Sequence, residues 1–150
     1  QVSWPPAKHS PMGSGPGYLR SVAGTDPAAG AEISETVPTN ARWRLIGFRA
    51  SLVTDATVAD RRPLLIVDDG ANTLYTLWDA VTHTASLNYA HNWHDQSILR
   101  GDNGIDGGQA MLPHGCMLLG GWRVRTQTVN MVAGDNWGAP QLWVEEWIEE

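Results

Sequence analysis

The alternation of apolar and polar residues along the chain predicts β-strands, most clearly between residues 121 and 148. Over residues 122–129, apolar or β-branched side chains alternate with arginine and glutamine, the period of two that is typical of a strand with two different faces. A run rich in Gly, Asp, Asn and Pro over 133–140 interrupts the pattern, and a second strand follows over 142–148. The pattern therefore predicts a closing hairpin of two long strands.

The second of these strands carries large apolar residues on both faces. Leu142, Val144 and Ile148 share one face, whereas Trp143 and Trp147 lie on the other. Such a strand is either covered on both sides or turns one face toward another protein chain. Trp143 and Trp147 are therefore candidate partner contacts, and burial in the core is the alternative.

Charged residues on the two predicted strands are expected to pair. Glu145 and Glu146 of the second strand lie within reach of Arg123 or Arg125 of the first, if the two strands form a hairpin. Such cross-strand charge pairs contribute roughly 0.2–1 kcal/mol each. They would support the hairpin without determining it.

Six further segments show a short apolar pattern, which brings the count to about eight strands. They are residues 33–37, 42–54, 63–67, 74–78, 83–92 and 111–119. In the second of them the apolar parity changes near Gly47, which indicates a β-bulge or a change of partner. Because no segment has a sustained helical period, we predict an all-β, jelly-roll-like sandwich of two antiparallel sheets over residues 31–150.

Residues 1–30 differ in composition from the rest of the chain. They hold five of the nine prolines and five of the sixteen glycines. With so little apolar pattern they cannot bury a face, so we expect an extended arm without regular structure. Trp4, Tyr18 and Arg20 are poorly explained by a linker and are candidate anchors on a partner surface; an unattached terminus is the alternative.

Composition and charge narrow the possible partners. The net charge is −6, from 10 Lys and Arg against 16 Asp and Glu, which argues against a nucleic-acid partner. No run of 18 apolar residues predicts a membrane span, and the first residues lack the apolar centre of a signal peptide. The single cysteine, Cys116, excludes an internal disulfide, and its apolar neighbours predict a small buried side chain.

Histidines provide the best candidates for a metal site. The candidate ligands are His91, His94 and Asp95 in the motif HNWHD, with His83 or His114 as a further ligand. Residues three apart on a strand point to opposite faces, so His91 and His94 converge only if they lie in a loop. Ordinary loop histidines are the simpler interpretation, and we predict neither a metal nor a cofactor.

No motif in the sequence indicates catalysis. Adjacent carboxylates such as Asp68 and Asp69 point to opposite faces of a strand, so they do not form an acid–base pair. The phosphate-binding motif Gly-Lys-Ser/Thr and the nucleophile motif Gly-x-Ser-x-Gly are both absent from the sequence. We therefore predict that the protein is not an enzyme.

Two long stretches of the sequence resemble a family of small β-sandwich virion proteins encoded by tailed bacteriophages. They are PTNARWRLIGFRASLVTDATVADRRPLLIVDDG at 38–70 and LPHGCMLLGGWRVRTQTVNMVAGDNWGAPQLWVEEW at 112–147. The order of elements, an arm followed by a sandwich, is also similar. The resemblance covers most of residues 33–148 and carries no catalytic residue with it.

This resemblance implies a jelly-roll protein that decorates or cements the phage head, often as a trimer at three-fold positions. It implies that the partner is the major capsid protein, which a terminal arm would cross, and that the chain forms a homotrimer. The expected location is the virion surface, and the host cytoplasm during assembly. Neither nucleic acid nor a membrane is expected as a partner.

Three other functions remain open at this point. A carbohydrate-binding module is the first, because exposed indoles stack on sugars and the irregular stretch at 92–108 offers a loop to shape a site. Another virion role, such as a neck, tail or fibre attachment protein, is the second. The third is a metalloenzyme of the cupin type, which would need the histidines to converge.

Overall fold

The computed structural model describes residues 16–79, 81–95 and 106–149, and in these ranges the chain contains strands and no helix. The described strands are β1 (Tyr18–Ala23), β2 (Ser34–Thr36), β3 (Ala41–Val53), β4 (Arg62–Asp68), β5 (Thr73–Trp78), β6 (Asn88–His94), β7 (Asp106–Met111), β8 (Met117–Leu118), β9 (Arg123–Val129), β10 (Asn136–Trp137) and β11 (Gln141–Ile148). The predicted all-β sandwich is confirmed. Among the described residues no helix could cross a membrane.

The strands form two sheets. The larger has seven strands in the order β1-β11-β3-β6-β7, with the short strands β8 and β10 added to β3. The smaller has four strands in the order β2-β9-β4-β5. All described pairs are antiparallel except β6 and β7, which run parallel. β3, with 13 residues, is the central strand of the larger sheet because it pairs with four others.

Apolar side chains from both sheets meet in one core. The larger sheet supplies Trp43, Leu45, Phe48, Leu52, Trp93, Trp137, Leu142 and Val144, and the smaller sheet supplies Leu65, Val67 and Val124. Burial of one such side chain contributes roughly 1.5–3 kcal/mol. Phe48 and Trp93 meet edge to face, with ring centroids 5.8 Å apart. Several tryptophans are therefore core residues, but Trp143 is not among them.

A β-bulge lies in β3 where the apolar parity of the sequence changes. β11 pairs Trp143 with Gly47 but Val144 with Leu45, so Ile46 has no partner on β11. The residues of β3 that face the core change from odd to even numbers across this bulge. The predicted irregularity near Gly47 is confirmed.

The predicted hairpin of the last two long strands is wrong. β9 pairs with β2 and β4 in the smaller sheet, whereas β11 pairs with β1 and β3 in the larger one. The segment between them contains Asp135 and Trp137, neither of which is exposed. Other residues of the segment, such as Ala133 and Gly134, are exposed, so it crosses from the smaller sheet to the larger with only some side chains buried. There it adds β10 to β3 instead of turning straight back.

The charge pairs expected across that hairpin are also absent, and others replace them. Arg123 and Arg125 each donate a hydrogen bond to Asp68, over 2.8 and 2.7 Å. Burial by itself would raise the pKa of Asp68, but the bonds from the two arginines lower it to about 2. Glu145 and Glu146 bond to residues of β1 and β3 within their own sheet.

The predicted arm, residues 1–30, contains the first strand of the structure. β1 pairs with β11 over its full length, from Tyr18 opposite Glu146 to Ala23 opposite Gln141. β1 is the edge strand of the larger sheet. Trp4 lies outside the described residues.

Candidate functional site

An open groove of about 150 Å³ lies on the outer face of the larger sheet. We call it the tryptophan groove and define it by Ser21, Gly47, Arg49, His94, Gln141 and Trp143. Ser21, Trp143, Gly47 and His94 are successive cross-strand partners on β1, β11, β3 and β6. They form one row across four strands, so the groove depends on the pairing of the whole sheet.

Gly47 forms the floor of the groove. A Cβ at this position would lie 3.2 Å from His94 Nδ1 and 3.8 Å from Trp143 Cβ. Any side chain would therefore fill the space between the imidazole and the indole. The absence of a side chain at this one position keeps the groove open.

Trp143 is the apolar wall of the groove. Its side chain is 51% exposed, although tryptophan is usually well buried in a single domain. The neighbouring Leu142 and Val144 point inward and are fully buried, so strand alternation forces Trp143 outward. Its exposure is therefore a property of the outer face and not of a loosely packed core.

Polar groups lie at the rim of the groove, although its exposed lining is mostly apolar. Gln141 Nε2 donates a hydrogen bond to Ser21 Oγ, and Arg49 Nη1 donates to Asn92 Oδ1 over 2.8 Å. Burial lowers the pKa of His94, so its imidazole is neutral near pH 7 and can donate one hydrogen bond and accept another. A hydroxyl, an amide, a guanidinium and a neutral imidazole thus surround one indole.

The structure separates the predicted partner residues onto different surfaces. Trp143 lies on the outer face beside Ser21, whereas Tyr18 and Arg20 belong to the opposite face of β1, because side chains alternate along a strand. Arg20 is not a free anchor, since its Nη1 forms an ion pair with Glu146 over 2.5 Å.

Trp147 stabilises the start of β1 instead of standing free. The guanidinium carbon of Arg42 lies 4.9 Å from the centre of its ring, a cation–π contact. Gly17 approaches the same ring closely, and its backbone N–H donates to Glu145 Oε1 over 2.9 Å. Trp147 is therefore partly covered by the chain that leads into β1.

A second exposed apolar surface lies at the edge of the smaller sheet. Leu74, Tyr75 and Trp78 of β5 are 40% to 47% exposed, and we call these three residues the β5 edge. β5 ends the order of its sheet and pairs only with β4 among the described strands. A cavity of about 430 Å³ beside it is lined by Leu74 and Tyr75 together with Met117 and Trp122.

Cys116 also lines this cavity, but it is not a reactive thiol. Its residue is buried, and burial raises the pKa of the thiol to about 11. At neutral pH the sulfur therefore stays protonated. The predicted role of Cys116 as a small buried side chain is confirmed.

A third exposed surface lies where the chain enters the sandwich. Tyr18 and Leu19 of β1 and Ile148 of β11 are each more than half exposed. Because Tyr18 pairs with Glu146, these three residues lie at the same end of the two paired strands. We call them the arm edge.

A chain of buried polar groups lies inside the sandwich. His83 Nδ1 and His91 Nε2 are 3.1 Å apart, and His91 Nδ1 bonds to Asp79. The His–Asp pair resembles the base and its orienting carboxylate in hydrolytic triads. However, the second ring nitrogen of His91 meets His83 and not a hydroxyl or a thiol, so among the described residues no nucleophile lies at that position.

The metal-ligand candidates do not all converge in the described part of the chain, although His83 and His91 meet in the interior. His91 points into the interior and His94 into the tryptophan groove, as their spacing on a strand predicts. Among the described residues no group of three or more His, Cys, Asp or Glu could hold a metal ion.

Most groove residues could not be identified from the sequence. Ser21 lies in the predicted arm, and His94 was considered only as a metal ligand. Trp143 did carry a signal, as a large apolar residue on the face opposite Leu142 and Val144. Ser21 and Trp143 are brought together by the register of β1 and β11, which local sequence does not encode.

Comparison with known proteins adds no family to this description. No protein-family model matches the chain, and a search of curated proteins finds no match. The fold and its surfaces define a two-sheet β-sandwich with a glycine-floored aromatic groove on one outer face and two apolar edges.

Proposed function

We propose that the protein is a non-enzymatic bacteriophage structural protein that binds the outside of the capsid and stabilises it. The observation that carries this proposal is the arm edge. Tyr18 and Ile148 on one face of the strand pair, and Leu19 on the other, are exposed where the Pro/Gly-rich N-terminal residues join the sandwich. An exposed apolar group continuous with a segment of that composition is suited to a broad contact with a larger surface.

The attachment of β1 to the sandwich supports this role. β1 and β11 pair in register over six residues, and Arg20 bonds to the buried Glu146. Glu146 also accepts a hydrogen bond of 2.7 Å from the indole nitrogen of Trp43, a core residue. A force on the N-terminal residues would therefore be transmitted to the core, as cementing a shell requires.

The β5 edge supports self-association. Natural proteins protect edge strands with charged residues or proline, but β5 has the sequence TLYTLW and contains neither. We therefore assign this edge to the contact between copies of the chain in a homotrimer. A closed trimer needs a head-to-tail contact, in which the edge of one copy meets a different surface of the next.

The sequence resemblance supplies the identity of the larger partner. The stretches at 38–70 and 112–147 contain β3, β4, β9 and β11, which form the centre of both sheets. The similarity to phage virion sandwiches therefore concerns the part of the chain that determines the fold. On this basis the proposed partner is the major capsid protein.

Binding to capsids with a changed arm edge tests the proposal. Purified capsids of the encoding phage, freed of this protein, would be sedimented with the full chain and with a Tyr18→Ser, Leu19→Ser variant. We expect the full chain to sediment with capsids and the variant to bind at least tenfold more weakly. Val58→Ser, which changes a 92% exposed apolar residue outside the arm edge, is the matched control.

Two outcomes would contradict the proposal. The first is a full chain that stays in the supernatant at every concentration. The second is equal loss of binding in the Val58→Ser control, which would show that any exposed apolar residue has the same effect. Circular dichroism of both variants would establish that each retains its sheets.

A further inference from the structure

The tryptophan groove has the shape of a site for one ring-shaped ligand. Its volume of about 150 Å³ is comparable with that of a single hexose ring. It is open to solvent on the outer face, so a ring at the end or in the middle of a longer chain could enter. Because Gly47 has no side chain, this space remains open between the imidazole of His94 and the indole of Trp143.

The walls of the groove match the two kinds of surface that a pyranose ring presents. The ring has an apolar face of C–H groups, which packs on an aromatic face, and Trp143 offers such a face at 51% exposure. The edge of the ring carries hydroxyl groups, which need donors and acceptors. His94, Gln141 and Ser21 supply both kinds at the rim of a lining that is otherwise mostly apolar, and Gln141 already donates to Ser21.

Charge distinguishes a sugar from the other ligands that stack on indole. A nucleotide would bring phosphate to a chain of net charge −6. The acidic Glu145 lies two residues from Trp143 on the same face of β11, and it is already paired with Arg44 over 2.6 Å. The imidazole of His94 is neutral near pH 7 because burial lowers its pKa. Arg49, which donates to Asn92 Oδ1 over 2.8 Å, is therefore the one cationic side chain among the groove residues.

We propose that the tryptophan groove binds one neutral pyranose residue of a glycan. Trp143 stacks on the sugar ring, Gly47 leaves room for it, and His94 with Gln141 hydrogen-bonds its hydroxyl groups. This site is distinct from the arm edge, so it does not depend on capsid binding. If the protein is attached to a capsid as proposed, this groove would let it bind glycans on a second surface that the capsid meets.

The test begins with the full chain on an array of neutral, acidic and N-acetylated oligosaccharides. The best neutral saccharide is then titrated calorimetrically against the full chain and its variants. We expect Trp143→Ala to weaken binding at least tenfold, and Gly47→Ala to weaken it because the added methyl narrows the groove. Gln141→Ala should weaken it less, since it removes one hydrogen-bonding group.

Trp78→Ala is the matched control, because Trp78 is 46% exposed and lies on the smaller sheet. It should leave saccharide affinity unchanged. Thermal unfolding of each variant checks that the sheet is intact. If Gly47→Ala proves unstable, Trp143→Phe replaces it as the second variant. Because phenylalanine keeps an aromatic ring, Trp143→Phe should retain part of the affinity that Trp143→Ala loses.

Three results would overturn the proposal. They are an array on which no neutral saccharide binds, a Trp143→Ala variant with wild-type affinity, and binding of single-stranded oligonucleotides in preference to saccharides. Because the capsid-sedimentation assay uses the arm edge, a failure there leaves this result unaffected. The two proposals therefore fail separately.

Discussion

Arg61 and Asp135 form a two-pronged ion pair in which neither side chain is exposed. Arg61 Nε and Nη2 donate to the two oxygens of Asp135, each over 2.9 Å. The remaining guanidinium bonds go to Asp55 and to the carbonyl oxygens of Thr57 and Ala59. All five N–H groups are therefore used, and one buried arginine holds two loops together.

Removing one partner of this pair should strongly destabilise the protein. Asp135→Asn keeps the shape of the side chain but leaves the buried charge of Arg61 with only the partly exposed Asp55 as its counter-charge. We expect the free energy of unfolding to fall by about 3–5 kcal/mol, measured by urea denaturation. Arg123→Met is the control: Arg123 is partly exposed and Asp68 keeps its bond to Arg125, so the loss should be about 1 kcal/mol or less. Equal losses in the two variants would show that the buried pair has no special role.

Stability should fall on mild acidification because of His83. Burial, followed by the nearby His91, lowers the pKa of His83 from 6.5 to about 4. The unfolded chain therefore binds a proton at a higher pH than the folded chain does. The stabilisation is fully present above pH 6.5 and is lost as the pH falls toward 4, by about 3 kcal/mol.

Several charged or titratable groups lie near His83, so the control must remove His83 alone. His91 faces it from β6, and Arg61 and Asp135 influence its charge from neighbouring segments. His83→Gln removes the titrating group, so the fall in urea midpoint between pH 6.5 and 4 should become shallower. A smaller slope should remain from His94, whose pKa burial also lowers. An unchanged slope in His83→Gln would refute the assignment.

Two N-terminal truncations should behave differently. A chain that starts at residue 16 keeps β1 and should unfold at the same temperature as the full chain. A chain that starts at Gly24 lacks β1, exposes the edge of β11 and leaves the buried Glu146 without Arg20. We expect it to lose at least about 2 kcal/mol and to aggregate more readily. Equal melting temperatures for the two truncations would show that β1 does not stabilise the sandwich.

Solution mass tests the role of the β5 edge. Light scattering coupled to size exclusion should give about three times the 16.3 kDa chain mass. Tyr75→Lys places a charge on the edge and should shift the mass toward a monomer, whereas Val58→Lys should not. A monomeric full chain, or a trimer that Tyr75→Lys leaves intact, would remove β5 from the proposed contact.

The sequence pattern predicted strands well but not their partners. All eight predicted segments overlap a strand of the structure. The three missed strands are β1, β7 and β10, whose sequences YLRSVA, DGGQAM and NW have little or no apolar alternation. Each forms because a longer strand, β11, β6 or β3, offers it a partner. A local pattern cannot show such pairing.

The candidate site was predictable only where a single residue carried the signal. Trp143 stood out because a large apolar side chain occupied the face opposite Leu142. Gly47 was marked by the change of parity, as a bulge and not as the floor of a groove. Ser21 joins Trp143, which lies more than 100 residues further along the chain, through strand register, so no spacing in the sequence could reveal it. The buried Arg61 was hidden in the same way, within a polar loop.

The heat stability of capsids with and without the protein tests the central proposal most directly. Capsids of the phage that the proposal assigns to this chain, freed of the protein, would be heated alone, with the full chain and with the Tyr18→Ser, Leu19→Ser variant. Shell disruption would be followed by light scattering. Added full chain should raise the disruption temperature, saturating at a fixed ratio of chains to capsid subunits, and the variant should raise it little. A disruption temperature that the full chain leaves unchanged at saturation would contradict a role in stabilising the capsid.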